Sequence, residues 1–184
     1  SHCLVNSSPR GDEGLSTDAI KKIINEAVAL GTSRLFFTGG EPFIRQDIFE
    51  LIEYVCNIKN VELILLTNGT LLKGKTLERL QEFDKARLKI QISLDGSKPE
   101  INDHVRGEGS FSRIVEGIKS IVKIGYLPTV TTVVTNNNIE DIPETTKLIA
   151  KLGVKTHHLL WVHKRGGVSD NGHDFFPSIN KVIE

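Results

Sequence analysis

Apolar side chains recur along the chain with the period of an α-helix, and short apolar runs lie between these stretches. The spacing i, i+3, i+4, i+7 places apolar residues on one face of each predicted helix. The predicted helices cover residues 17–30, 46–58, 76–83, 114–122 and 141–152. Runs rich in β-branched and aliphatic residues predict five strands between them. The predicted strands cover residues 34–38, 61–67, 88–94, 129–135 and 155–162.

Strands and helices therefore alternate, and three of the helices end in an aliphatic residue followed by glycine. Gly31, Gly125 and Gly153 follow Leu30, Ile124 and Leu152, and glycine suits the left-handed position at which a helix stops. The alternation predicts an α/β fold with a parallel sheet, either a doubly wound open sheet or a (β/α) barrel, complete or partial. No linker or low-complexity segment interrupts the chain, so we expect a single domain over residues 1–184.

Composition and charge exclude several classes of function. The 184 residues contain 23 Lys and Arg against 23 Asp and Glu, so no basic surface for nucleic acid or an anionic membrane is predicted. The apolar runs are too short to span a bilayer, and no apolar segment resembles a signal peptide. Two cysteines do not form a disulfide scaffold and indicate a reducing compartment. We expect a soluble cytoplasmic protein with neither nucleic acid nor membrane as a partner.

The most informative short motif follows the first predicted strand, where both architectures place ligands. Two glycines, Gly39 and Gly40, let the backbone approach a ligand closely, and Pro42 ends the strand. Glu41 adds an anion beside free backbone carbonyls, which suits an ammonium group better than a phosphate. A tight turn with a solvated glutamate is the alternative interpretation.

Together with Cys3, this arrangement resembles the radical S-adenosylmethionine (SAM) superfamily. A cysteine, a loop, a helix ending in Leu-Gly, a strand and the run FTGGEP follow one another as in that family. The resemblance implies that Cys3 is the third cysteine of a C-x3-C-x2-C motif, whose other members would precede Ser1. Such a triad binds three irons of a [4Fe–4S] cluster and leaves the fourth open for SAM. It also implies that Glu41 and the Gly39-Gly40 backbone bind the SAM ammonium group. Without this context, Cys3 would be interpreted as a free thiol.

A second match lies in the run IQISLDG and the segment after it. Gln91, Ser93 and Asp95 form a polar face on a strand that should be buried, and in a barrel such a face can point inward to a ligand. The run resembles the fourth strand of SPASM-type radical SAM enzymes. That resemblance implies that Ser93 contacts the SAM ribose and that Arg106 binds the SAM carboxylate, which a guanidinium group matches as a fork. A solvated loop charge or a capping salt bridge remains the alternative for Arg106, and a turn-forming role for Asp95.

The resemblance covers most of residues 1–165 and carries expectations for the whole protein. It implies a partial (β/α) barrel that lacks its first strand and is incomplete at both termini, so we expect this chain alone to be inactive. It implies reductive cleavage of SAM to methionine and a 5′-deoxyadenosyl radical, which abstracts hydrogen from a small-molecule or peptide substrate. Such chemistry serves peptide or protein modification or cofactor biosynthesis, and it needs an electron donor such as a flavodoxin or a ferredoxin.

Two other functions remain open. Residues 69–76, GTLLKGKT, fit the phosphate-binding motif G-x4-G-K-[ST] between a strand and a helix, which would indicate a nucleotide hydrolase that uses Lys75. The apolar Leu71 and Leu72 argue against a loop that wraps phosphate. A barrel that binds a small molecule without a cluster is the non-catalytic alternative, because this chain supplies a single candidate cluster ligand.

Overall fold

The structure, a computed structural model, describes residues 14–161 and 176–177. Its helices are α1 (Thr17–Ala29), α2 (Ile48–Cys56), α3 (Lys75–Gln81), α4 (Pro99–Arg106), α5 (Ser110–Lys123) and α6 (Ile142–Lys151). Its strands are β1 (Arg34–Phe37), β2 (Glu62–Thr67), β3 (Leu88–Ser93), β4 (Thr129–Val134) and β5 (Thr156–Trp161). Two short 3-10 helices cover Pro42–Ile44 and Ile139–Asp141. None of the described helices is long and apolar enough to cross a membrane.

All five predicted helices and all five predicted strands are present, and α4 is an additional helix that the apolar pattern does not reveal. Its sequence, PEINDHVR, contains only two aliphatic residues, so it lacks the stripe from which the other helices were predicted. Pro99 in its first turn is pre-organised for a helix. Glu100 near its start and Arg106 at its end both match the helix dipole. Local backbone and charge effects therefore favour α4 where hydrophobic periodicity does not.

The sheet has the strand order β1-β2-β3-β4-β5, and every neighbouring pair is parallel. A doubly wound sheet reverses its strand order at a switch point, and this sheet does not. Consecutive parallel strands joined by right-handed crossovers keep their helices on one face, as in a (β/α) barrel. The described strands therefore form an arc of a barrel, which confirms the predicted partial barrel and excludes the doubly wound alternative.

The two faces of the arc differ in chemistry. Residues facing the helices are fully buried and aliphatic, among them Leu63, Leu65, Ile90 and Ile92. Their neighbours in sequence face the other way and are only partly buried, as the alternating burial of β2 and β3 shows. The core therefore lies between the sheet and the helices, and the concave face is left for a ligand.

The loop after β2 is held against α5 by two glycines. A side-chain carbon added at Gly117 would lie 2.3 Å from the carbonyl oxygen of Gly69, and one added at Gly69 would lie 2.8 Å from Ile92. Gly69 also has a φ of 78°, in the left-handed region that favours glycine. Leu72 from the same loop is 1% exposed and belongs to the core. This close contact fixes the end of β2 relative to α5.

The contact at Gly117 predicts an unusual result for a helical glycine. Gly→Ala inside a helix normally stabilises by up to about 1 kcal/mol, but here the new methyl group collides with backbone. We expect Gly117→Ala to lower the free energy of unfolding by about 1–3 kcal/mol, measured by urea denaturation. Ser112→Ala, at an exposed position of the same helix, is the control and should not destabilise. A Gly117→Ala protein as stable as the wild type would contradict the close contact.

Candidate functional site

A cavity of about 660 Å³ opens at the carboxyl ends of the strands. Its wall contains Gly39 and Gly40 after β1, Ser93 on β3, Thr131 on β4 and Arg106 at the end of α4. Gln91, on the same face of β3 as Ser93, lies deeper in the wall. Four of the six predicted site residues, Gly39, Gly40, Ser93 and Arg106, therefore lie around one cavity.

Gly39 and Gly40 form an open part of the rim. Both are exposed, and Gly39 has a φ of 147°; apart from its chain neighbours, no atom of the described residues lies within 4 Å of the position that its side chain would take. Within the described part of the chain, no side chain crowds the backbone here, which leaves room for a ligand to approach it. The geometry agrees with a role for backbone atoms in ligand binding.

Glu41 lies behind this rim, and its carboxylate does not line the cavity. Oε1 accepts hydrogen bonds from the Thr67 hydroxyl (2.8 Å) and the Phe43 amide (3.2 Å), and Oε2 accepts one from the Asn68 amide (2.7 Å). Burial raises the pKa of Glu41, and these three hydrogen bonds oppose that rise. Glu41 thus joins the loop after β1 to the end of β2, and its carboxylate is largely occupied by protein donors.

Ser93 and Thr131 are partners in the register of β3 and β4 and stand side by side on the cavity wall. Thr131 is 4% exposed, and its buried hydroxyl has no hydrogen-bond partner among the described residues. An unpaired buried hydroxyl costs free energy. A ligand with a polar group in this cavity would supply the missing partner.

Arg106 is 15% exposed and reaches the same wall from the opposite side. Its Nε atom lies 2.8 Å from Oδ2 of Asp95, whose side chain is 1% exposed. Arg106 therefore forms a salt bridge, which the sequence analysis offered as the alternative to ligand binding, and it also lines the cavity. Asp95 is more than a turn former, because its Oδ1 accepts a hydrogen bond from the Val133 amide of β4 (2.9 Å).

The turn between α4 and α5 carries Arg106, Ser110 and Arg113 to the cavity, and Asp103 holds this turn together. Asp103 accepts hydrogen bonds from the amides of Gly109 and Phe111, both at 2.7 Å, and from the Ser110 hydroxyl at 2.8 Å. Burial acts to raise the pKa of Asp103, but these donors and the Asn102 amide outweigh it and hold the pKa below its ordinary value. The ionised carboxylate is therefore the form that stabilises the turn.

Two further predictions concern Cys3 and the phosphate-loop motif. Cys3 lies outside the described residues, and within those residues no three His, Cys, Asp or Glu side chains come together as metal ligands. In the phosphate-loop motif of residues 69–76, Leu72 is buried in the core and Gly69 packs on α5. At these two positions the loop is packed against protein, whereas a phosphate-binding loop turns its backbone N–H groups toward the ligand.

The sequence model of the radical SAM superfamily matches residues 1–149. The chain belongs to the radical SAM superfamily. It is 34% identical over 169 residues to the AdoMet-dependent heme synthase of Methanosarcina barkeri, covering 90% of this chain and 47% of that protein. It is 32% identical over 178 residues to the mycofactocin maturase MftC of Mycolicibacterium smegmatis, covering 96% of this chain and 44% of the maturase. The chain thus spans less than half the length of these relatives.

Solved structures share the fold of this radical SAM chain. Streptococcus suis SuiB bound to S-adenosylmethionine superposes with a TM-score of 0.77 at 20% identity, over 90% of this chain and 38% of SuiB. The enzyme anSMEcpe with bound AdoMet and the Kp18Cys peptide gives a TM-score of 0.76 at 19% identity, over 98% of this chain and 52% of anSMEcpe. At these identities the likeness shows the fold alone, and it agrees with the barrel arc described above.

The radical SAM resemblance did not point to several residues of the cavity wall. Thr131 and Val133 face the cavity by strand alternation, a signal that was present in the run TVTTVV. Asn68 follows a strand end, where ligand-facing residues are expected. The sequence around Arg113 has neither strand alternation nor a strand end to place it at the cavity. Its position depends on the α4–α5 turn, and α4 has no apolar stripe from which it could be predicted.

The role of Glu41 predicts a loss of stability when its carboxylate is removed. Glu41→Ala leaves three donors without their acceptor, so we expect the free energy of unfolding to fall by about 1–3 kcal/mol, measured by urea denaturation. Glu53→Ala, at an exposed position of α2, is the control and should change little. Equal stability of the two variants would show that the Glu41 hydrogen bonds do not hold the loop.

The lowered pKa of Asp103 predicts a pH dependence of stability. An acid with a depressed folded pKa contributes stability above its ordinary pKa and loses it as pH falls through the folded value. Asp103→Asn should therefore be destabilised most at neutral pH, and its difference from the wild type should shrink in acid. Urea unfolding of both proteins over a pH series measures this. A difference that stays constant with pH would refute it.

Proposed function

We propose that residues 1–184 are the core domain of an enzyme that binds a [4Fe–4S] cluster and SAM and abstracts hydrogen from its substrate. The observation that carries this proposal is the meeting of Gly39, Gly40, Ser93 and Arg106 around one cavity in a chain of the radical SAM superfamily. One electron delivered to the cluster would cleave SAM to methionine and a 5′-deoxyadenosyl radical. The cofactors supply this reactivity, and the protein binds, orients and shields them.

The residues of the cavity fit the polar groups of SAM. The exposed backbone at Gly39 and Gly40 suits the ammonium group, and the Arg106 guanidinium suits the carboxylate. Ser93 and the unpaired Thr131 hydroxyl stand side by side on the cavity wall and suit the ribose hydroxyls. Glu41 supports the ammonium site from behind, since its carboxylate holds the loop after β1 against the end of β2.

Cys3 is the cluster ligand that we propose within this chain. Three cysteines hold such a cluster while its fourth iron stays open, so two further thiolates must join Cys3. Peptide mapping of the full-length protein upstream of Ser1 tests this directly. Cysteines immediately before Ser1 and four residues earlier would complete the motif.

For the substrate we propose a peptide or protein, with a cofactor precursor as the second candidate. The peptide class is supported by similarity to mycofactocin maturases and to the subtilosin biosynthesis protein AlbA of Bacillus subtilis, 32% identical over 94% of this chain and 38% of AlbA. The second candidate is supported by the similarity to a heme synthase. A flavodoxin or ferredoxin in the cytoplasm would supply the electron, and the low cysteine count fits that reducing compartment.

The two alternative functions give different results in binding experiments. A nucleotide hydrolase would bind ATP, and Lys75→Ala would abolish that binding. A radical SAM enzyme would keep its affinity for SAM in the same variant. Lys75 is exposed at the start of α3 and does not line the cavity. A non-catalytic barrel would bind SAM without forming 5′-deoxyadenosine.

The proposed function predicts how cavity variants affect SAM cleavage. In the full-length protein with its cluster reconstituted anaerobically, Ser93→Ala and Arg106→Lys should each reduce 5′-deoxyadenosine formation by about tenfold or more, since each loses a polar contact to SAM. Chromatographic measurement of 5′-deoxyadenosine after addition of dithionite provides the rate. Ser112→Ala and Arg79→Lys, which lie outside the cavity wall, are matched controls and should retain the wild-type rate. Wild-type rates in both cavity variants would overturn the proposed SAM site.

A further inference from the structure

Asp95, two residues after the end of β3, is a buried acid to which the proposed function assigns no role. Its side chain is 1% exposed. Both of its backbone groups are fixed by buried amides: its N–H donates to Oδ1 of Asn102 (3.1 Å) and its carbonyl accepts from Nδ2 of Asn138 (2.9 Å). The residue is therefore held from α4 on one side and from the loop after β4 on the other.

Among the described contacts, the carboxylate of Asp95 accepts one hydrogen bond and forms one ion pair. Oδ1 accepts the Val133 amide of β4 at 2.9 Å, and Oδ2 lies 2.8 Å from Nε of Arg106. A guanidinium group carries five N–H bonds, of which Nε holds one and the two terminal nitrogens hold four. With Nε against Asp95, the terminal nitrogens remain as the part of Arg106 that can bind a ligand in the cavity it lines.

We propose that Asp95 is a positioning residue for the ligand carboxylate: it fixes Nε of Arg106 so that the two terminal nitrogens form a fork toward the cavity. This inference rests on the proposed role of Arg106 in binding the SAM carboxylate. Bidentate binding of a carboxylate depends on the orientation of the guanidinium plane. Contacts with β4, α4 and the loop after β4 fix the position of Asp95. Its ion pair with Arg106 therefore sets the orientation of the guanidinium plane.

The chemistry of the two partners explains why this position needs an aspartate. The Val133 amide donates to one carboxylate oxygen and the cationic guanidinium group of Arg106 lies against the other, so the side chain between them must offer an acceptor at one end and negative charge at the other. Asparagine has one acceptor and one donor, and in either orientation its NH2 group would face the amide donor or the cation. The same exchange would also remove the counter-charge of a guanidinium group that is only 15% exposed.

The test compares two ligands that differ in the carboxylate alone. S-adenosylhomocysteine and its decarboxylated analogue share the adenosine, the sulfur and the amine. Their affinities are measured by isothermal titration calorimetry on the full-length protein with its cluster reconstituted anaerobically. We expect Asp95→Asn to weaken S-adenosylhomocysteine by about tenfold or more, the loss of one charge-assisted contact, and to leave the affinity of the decarboxylated analogue unchanged.

Asp103→Asn is the matched control, because Asp103 belongs to the same polar network but does not contact Arg106 in the described contacts. A purely structural effect would weaken both ligands alike, as we expect for Asp103→Asn. Equal weakening of both ligands by Asp95→Asn, or no weakening of either, would overturn the positioning role. If Asp95→Asn does not fold, Asp95→Glu keeps the charge and displaces the carboxylate, and it should show the same selective loss.

Arg106→Lys separates failure of this inference from failure of the proposed function. If the Arg106→Lys protein binds S-adenosylhomocysteine as tightly as the wild type, Arg106 does not bind the carboxylate, and both the proposed role of Arg106 and that of Asp95 would be overturned. If Arg106→Lys weakens the binding of S-adenosylhomocysteine but not of the decarboxylated analogue, and Asp95→Asn does not have this selective effect, only the role of Asp95 would be overturned. In the Arg106→Lys background, Asp95→Asn should cause no further selective loss, because it acts through the guanidinium group.

Discussion

Five parallel strands in consecutive order, with the right-handed crossovers that such connections follow, constrain the described part of this chain. The connections must all pass on one face of the sheet, so the helices bury the aliphatic side of each strand and leave the other side concave. The same order brings every strand's carboxyl end to one rim. The cavity at that rim therefore follows from topology, and its chemistry follows from which residues stand at the strand ends.

The rim is rigid because side chains connect consecutive strand ends. Glu41 links the loop after β1 to the end of β2 through Thr67 and Asn68. Asp95 links the end of β3 to β4 and to α4. Such contacts between neighbouring loops continue the links between strands beyond the point at which the backbone hydrogen bonds of the sheet end.

Much of this architecture could be predicted from the sequence, because the governing signal is local. The five apolar stripes and five β-rich runs reflect burial on one helix face or on one strand face. The polar alternation of Gln91 and Ser93 correctly indicates a ligand-facing side of β3. Helix α4 could not be predicted in this way, since its face toward the strand ends is polar: the fully buried Asn102 bonds to Asp95 and Ser110. Such a contact depends on residues that only the fold brings together.

The same limit applies to the acids. From the sequence, a glutamate beside two glycines is predicted to bind the ligand, because a carboxylate at a strand end has the right charge for an ammonium group. In the folded chain both acids have protein partners: Glu41 accepts three hydrogen bonds, and Asp95 accepts one from a backbone amide and faces a guanidinium group. A buried carboxylate without such partners would be costly, so both acids stabilise the wall. The described lining of the cavity combines aliphatic side chains with backbone, hydroxyl, amide and guanidinium groups, and it contains no carboxylate.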